Sequence, residues 1–211
     1  MPPATFAPLA LEATDLACSR AGRVVFSGVS FRLERGQVLA VTGPNGSGKS
    51  SLLRVLTGLL PPVAGALRFD GRGEDEPVIH YVGHSDALKA AMSLRETLRF
   101  WTAVYRQQGR VTLDPDFDEA AETVGLRHAL DFSVGVLSAG QRRRAGLARL
   151  LLSPRPLWLL DEPTASLDRD GEALLAALMT NHLSSGGLVA ASTHQDLPIP
   201  VDSTIDLGDC A

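Results

Sequence analysis

Long apolar runs, surplus basic charge and paired cysteines are all missing from this sequence, and each absence removes a class of function. No stretch approaches the ~18 to 20 consecutive apolar residues that a membrane-spanning helix needs. The opening MPPATFAPLA lacks the basic start and continuous apolar segment of a secretion signal. The chain by itself is therefore expected in the cytosol. Twenty Lys and Arg stand against 24 Asp and Glu, a formal net charge of -4, whereas a domain that tracks a nucleic-acid backbone shows a strong basic excess. DNA and RNA are not expected partners. Cys18 and Cys210 form no C-x-x-C, C-x-x-C-H or zinc spacing and are expected to be reduced thiols. No repeat, low-complexity tract or long linker divides the 211 residues, a length suited to one large or two small domains with a sizeable core.

What is present is organised around Gly43 to Ser50, GPNGSGKS, which fits G-x-x-x-x-G-K-[ST] at every fixed position. Gln37 to Thr42 (QVLAVT) before it is a short apolar strand candidate, and Ser51 to Leu60 (SLLRVLTGLL) after it repeats Leu at helical spacing. In that context Gly43, Gly46 and Gly48 let the backbone curl until successive N–H groups and a helix N-terminus face one anion. Pro44, Asn45, Ser47 and Ser51 complete the loop. Lys49 is expected on the β- and γ-phosphates, and the Ser50 hydroxyl on Mg²⁺. The plain alternative is a glycine-rich turn with an incidental Lys-Ser.

Leu9 to Leu16 and Val24 to Leu33 alternate apolar and polar residues around Arg20-Ala21-Gly22-Arg23, the pattern of an antiparallel hairpin. This hairpin could supply a pocket for a nucleotide base. Two short strand candidates follow, Ala66 to Asp70 and Pro77 to Val82, around a GRGEDE turn. Ser93-Leu94-Arg95-Glu96 is a capping box opening a helix through Tyr105, and Asp116 with Glu119 opens a shorter one to Val124, ended by Gly125. Residues from about 86 to 133 are thus expected to be mainly helical. Leu94, Leu98 and Trp101, at i, i+4 and i+7, form either the core stripe of that helix or, with Phe100, anchors for a partner.

Leu137-Ser138-Ala139-Gly140-Gln141 opens a further helix, with Ser138 and Gln141 in capping-box positions. A helix N-terminus bearing a Ser hydroxyl and a Gly backbone is also a place for an anion. Then Pro156 to Glu162 (PLWLLDE) makes a buried-type strand ending in two acids. Asp161 suits a Mg²⁺ partner, and Glu162 a general base or water-positioning group. A surface acid couple closing a strand is the competing explanation.

Taken in order, GPNGSGKS, LSAGQ, LWLLDEP, SLD at 166 to 168 and Thr193-His194 resemble the ATP-binding-cassette ATPases over nearly the whole chain. The resemblance implies an α/β P-loop NTPase in a single domain, with a RecA-like core, an antiparallel β subdomain and a helical subdomain inserted at roughly 86 to 152. It implies ATP and Mg²⁺ as ligands and a homodimer in which Ser138, Gly140 and Gln141 of one subunit close over ATP held by the other. Asp168 is then expected to couple the two sites, and His194 to hold the γ-phosphate and attacking water. Three positions depart from the common pattern. Ala139 replaces a glycine, Arg20 stands where an aromatic usually stacks on adenine, and His84 stands where a Gln usually reaches Mg²⁺ and the water. A histidine that merely closes the buried strand Leu188 to Ser192 is the alternative for His194.

YVGHSDALKAAMSLRETLRFW and VGVLSAGQRRRAGLARLLLS resemble, more narrowly, the cassette subunits of bacterial cytochrome c maturation complexes. That implies a peripheral place on the cytoplasmic face of the inner membrane, an integral membrane partner, CcmB, and CcmC and the haem chaperone CcmE in the wider complex. No direct haem site is expected. A soluble cassette protein of DNA repair or ribosome work would carry a coiled-coil insertion, zinc cysteines or a second cassette, and a small-molecule kinase has no use for LSAGQ followed by DEP and SLD.

Overall fold

The computed structural model describes residues 6–71, 73, 78–107 and 116–208. Most of the GRGEDE turn, Pro77 and Cys210 lie outside the described residues. The hairpin forms as anticipated, β1 (Ala10–Arg20) against β2 (Arg23–Leu33), with Leu11 opposite Leu33 and Cys18 opposite Phe26. Ala21 and Gly22 both take positive φ, the two-residue turn whose twist matches the flanking strands. β4 (Ala64–Asp70) pairs with the other edge of β1, giving a three-stranded antiparallel sheet in the order β2-β1-β4.

The second sheet is parallel throughout: β5 (Ile79–Val82), β6 (Leu157–Asp161), β7 (Leu188–Ser192), β3 (Val38–Thr42) and β8 (Ser203–Asp206), in that spatial order. β4 and β5, adjacent in sequence, therefore lie in different sheets. Every residue of β6 and β7 is buried, as expected of a parallel sheet covered on both faces. Alternate residues face opposite cores. Leu39, Val41, Leu157, Leu159, Leu188 and Ala190 pack with α1 (Lys49–Leu56) and the antiparallel sheet. Val38, Ala40, Trp158, Leu160, Val189 and Ala191 pack instead against Leu175, Leu178 and Met179 of α5 (Arg169–Ser184).

Between β5 and β6 the chain builds α2 (Leu94–Gln107), α3 (Phe117–Thr123) and α4 (Ala139–Ala148), which enclose a third core of their own. The α4 segment spans two cores: Ala145 and Ala148 face the helical one, while Leu147 and Leu150 face the sheet. α1 ends at Leu56, short of the expected Leu60, because Gly58 turns to φ 78 and sends Leu59 into solvent. Among the described residues no helix is long and apolar enough to cross a membrane.

The apolar residues of α2 divide between core and surface. Leu94 and Leu98 are fully buried in the helical core, whereas Phe100 is 45% exposed. Trp101 packs at the edge of that core, with the Arg149 guanidinium 3.5 Å from its ring centroid. Leu98→Ala is accordingly expected to cost about 2–5 kcal/mol in urea unfolding, and Phe100→Ala less than about 1 kcal/mol. Equal losses for the two would contradict this division.

Two histidines are buried uncharged beside β6. Burial, with help from the nearby Arg155 charge, pushes His80 down to about 3 while its ring bonds the Ser153 carbonyl at 2.6 Å. Burial likewise pushes His182 down to about 4, where it stacks on Trp158 at 3.9 Å. Both folded values lie below the ordinary 6.5, so the unfolded chain binds more protons as pH falls and stability is lost from about 6.5 downward. Urea midpoints should fall between pH 6.5 and 5, and the slope should flatten in a chain carrying His80→Gln and His182→Gln.

Candidate active site

The phosphate-loop expectation has a physical counterpart in how the helices begin. α2 starts on the reciprocal Ser93–Glu96 pair, α3 on Asp116, α4 on the Ser138–Gln141 capping box and α5 on Asp168. α1 has no side-chain cap and no acid in its first turn. Its free N–H groups and positive end are left for an exogenous anion. Gly48 makes this possible: its φ is 102, and a Cβ there would come within 2.5 Å of Val25 Cγ1. Lys49 is 7% exposed and folds back over the loop, donating to the carbonyls of Gly43 at 2.8 Å and Pro44 at 3.2 Å. An anionic oxygen in place of those neutral carbonyls would be a stronger acceptor.

Asp161 ends β6 and is only 2% exposed. Three hydroxyls face its carboxylate: Ser192 donates to Oδ1 at 2.6 Å, Ser50 to Oδ1 at 3.0 Å, and Tyr81 to Oδ2 at 3.4 Å. Burial and the Asp161 charge push the Tyr81 phenol up, so it remains a donor. Ser192 also accepts from the Glu162 amide at 3.1 Å, bridging the two acids from β7. Neither Ser192 nor Tyr81 was singled out from the sequence, although each lies within three residues of a marked histidine.

The acids are bound into one cleft of about 550 Å³ with Asn45, Gly46, Gly48, Lys49, Ser50, Ser51, His84 and His194. His194 Nε2 lies 3.0 Å from Lys49 Nζ and 3.2 Å from Glu162 Oε1. One ring nitrogen cannot serve both: accepting from Lys49, it has no proton for Glu162, and donating to Glu162, it cannot accept from Lys49. Arg20 and Val25 of the hairpin also line the cleft. Val25 adds an apolar wall that sequence reasoning missed.

Ser138, Gly140, Gln141 and Asp168 do not line this cleft. In the single chain Ser138 and Gln141 satisfy each other, at 3.1 Å and 2.8 Å, and Asp168 accepts from the Gly171 amide at 2.8 Å. The backbone leaves more room for a side chain at 139 than at 140. Ala139 is exposed, whereas a Cβ on Gly140 would press to 3.0 Å from the Ser166 carbonyl.

An uncapped helix N-terminus bearing a lysine, with carboxylates and an imidazole beside it, is the arrangement expected of a P-loop ATPase. The ABC transporter family model matches residues 26–165, and the chain belongs to that family of ATP-binding, ATP-hydrolysing subunits. It is similar to two proteins named cytochrome c biogenesis ATP-binding export protein CcmA. That of Mesorhizobium japonicum is 51% identical over 193 residues, covering 90% of this chain and 94% of its own. That of Chelativorans sp. is 49% identical over 201 residues, covering 93% and 96%. Among solved structures, a putative ABC transporter ATP-binding protein from Pyrococcus furiosus superposes with a TM-score of 0.80 at 25% identity, over 96% of this chain and 99% of that one. An ATP-binding subunit of an ABC transporter does so with a TM-score of 0.76 at 26% identity, over 87% and 79%.

Lys49→Ala removes the one ammonium at the uncapped helix end. ATP binding, followed by titration with a fluorescent analogue, is expected to weaken by about 10- to 100-fold, the worth of a hydrogen bond to a charged partner. Parental affinity would reject the loop as the phosphate site.

Proposed function

We propose that this chain is the ATP-hydrolysing, energy-coupling subunit of a membrane export complex that serves cytochrome c biogenesis. The observation that carries the chemistry is the convergence of Lys49, Ser50, Asp161, Glu162 and His194 on one cleft. The biological assignment is supported by similarity to the CcmA proteins across about nine-tenths of the chain.

The donor set fits Mg²⁺. Ser50 and Asp161 offer hard oxygens 3.0 Å apart, and among the described residues no group of three or more His, Cys, Asp or Glu forms a closed metal cage. A cation held by so few protein oxygens takes its remaining ligands from phosphate and water, as Mg²⁺ does. When bound, it neutralises charge on the β- and γ-phosphates. Ser192 and Tyr81 hold the Asp161 carboxylate in place for it.

Lys49 leaves its loop carbonyls for the phosphate oxygens, and that movement also frees His194 Nε2 to donate towards the γ-phosphate or Glu162. Glu162 accepts a proton from water as the water oxygen attacks the γ-phosphorus; the bond to the ADP oxygen breaks, and ADP and phosphate leave. His84 lies at the same cleft and takes the place of the usual switch glutamine. Arg20 and Val25 flank the base.

A single chain leaves the Ser138 end of α4 outside the cleft, which supports a homodimer in which Ser138, Gly140 and Gln141 of one copy close the site of the other, with Asp168 at the seam. The membrane partner is CcmB, with CcmC and CcmE in the wider complex, and the chain sits on the cytoplasmic face of the inner membrane without a haem site of its own. ATP turnover drives haem export or the release of haem-loaded chaperone.

Glu162→Gln tests both halves of this reading. It should keep ATP affinity while slowing hydrolysis by the ~10² to 10⁴ expected of a lost general base. In cells, replacing the parent by this variant should abolish mature c-type cytochromes, scored by haem staining. Hydrolysis within a few-fold of the parent would remove Glu162 from the chemistry, and normal cytochromes in a strain lacking the chain would remove the biogenesis role.

A further inference from the structure

α4 carries a second feature one turn beyond its cap. Arg143 is only 3% exposed, and its guanidinium makes five hydrogen bonds. It donates to the main-chain carbonyls of Glu162 at 2.6 Å, Asp161 at 2.8 Å, Pro163 at 3.3 Å and Gly83 at 3.1 Å, and pairs with Asp86 Oδ1 at 2.8 Å. Those acceptors belong to two separate passages of the chain, the exit from β5 and the exit from β6. A planar fork with donors in fixed directions can span both, whereas an ammonium, a point donor, cannot.

Each passage holds a residue of the reacting end of the cleft. On one side is Glu162, whose φ of 51 is a left-handed conformation that costs a non-glycine about 1 kcal/mol or more. Its carbonyl takes the shortest of the five bonds. On the other side is His84, flanked by Gly83, which is bonded to Arg143, and by Asp86 two residues on. Asp86 is further seated on the same face of α4. Gly146 lets it approach, since a Cβ there would lie 3.0 Å from its Oδ1, and Arg149 bonds its carbonyl at 3.3 Å.

We propose that Arg143 is a positioning residue for ATP hydrolysis, which ties the Glu162 main chain and the His84 turn to α4 so that the three move as one body. The inference rests on the ATPase reading given above. Because α4 also joins the helical core to the sheet core, any rotation of the helical part is transmitted to the base through this side chain. The phosphate-binding end of the cleft receives no bond from Arg143, so nucleotide binding is independent of it.

The test compares steady-state ATPase kinetics and nucleotide affinity of the full-length chain with those of Arg143→Gln, Arg143→Lys, Glu162→Gln and the Arg143→Gln/Glu162→Gln double variant. Arg143→Gln should lower kcat by about 10- to 100-fold, the scale of a misplaced catalytic group, with KM for ATP and nucleotide affinity within about threefold of the parent. Arg143→Lys keeps the charge beside Asp86 but should not restore kcat. In the Glu162→Gln background the Arg143 change should cost less than about twofold more, because it acts through the group already removed. A merely structural role would not produce that non-additivity. If Arg143→Gln does not fold, Arg143→Lys carries the test alone and in the Glu162→Gln background. Parental kcat in either folded variant, a loss confined to KM, or multiplicative losses in the double variant would overturn the proposal. A parent whose turnover does not depend on Glu162 would instead reject the ATPase site reading, so the two failures are distinct.

Discussion

The buried carboxylate of Asp161 is the constraint around which the site is arranged. A carboxyl group with 2% exposure is disfavoured unless its oxygens are hydrogen-bonded. Ser50, Ser192 and Tyr81 supply those bonds from three different elements, the start of α1, the end of β7 and β5. Satisfying one acid therefore fixes the register of the phosphate helix against the ends of three adjacent strands. Ser192 extends the arrangement to the Glu162 amide, so the second acid takes its direction from the same joint.

Around that joint the polar groups are held by one another. Lys49 rests on the carbonyls of its own loop and on His194, and His194 also touches Glu162. All of these contacts lie at the N-terminal end of α1, the one α-helix among the described residues whose first turn has no side-chain cap. The other α-helices, α2 to α5, begin on their own side chains, which closes their first turns as pieces of scaffold. The Ser138 end of α4 is internally capped by the Ser138–Gln141 pair.

The helical part is attached through α4 rather than through a linker. Its core of Leu94, Leu98, Val124, Leu126 and Leu137 is separate from the sheet cores, yet α4 contributes side chains to both. Arg143 adds a polar tie through the same helix. A domain built this way can pass a displacement at its periphery to the strand ends without unfolding any element, because packed interfaces shift as units rather than deform continuously.

Much of the site could be read directly from the chain because its determinants are local. Backbone curl at Gly43, Gly46 and Gly48, the Lys49-Ser50 pair, the reciprocal caps at Ser93 and Ser138 and the apolar run ending in Asp161-Glu162 each depend on residues within a few positions of one another. The hairpin, β3, β6 and β7 were legible for the same reason, as was the succession of motifs that marks the cassette family. What the tertiary structure decided depends on residues far apart in sequence. The four residues STID of β8, with Ile205 their one apolar member, are too short to show alternation, and they become a strand by pairing with β3. α1 stops at Leu56 because Gly58 outweighs the leucine spacing, and β4 and β5 part into different sheets because β1 and β6 offer them separate edges. Ser192, Tyr81 and Arg143 carry no signature by themselves. Their roles arise only when chain passages 80, 31 and 19 residues apart meet at Asp161 and Glu162, a convergence set by strand order and burial rather than by local pattern.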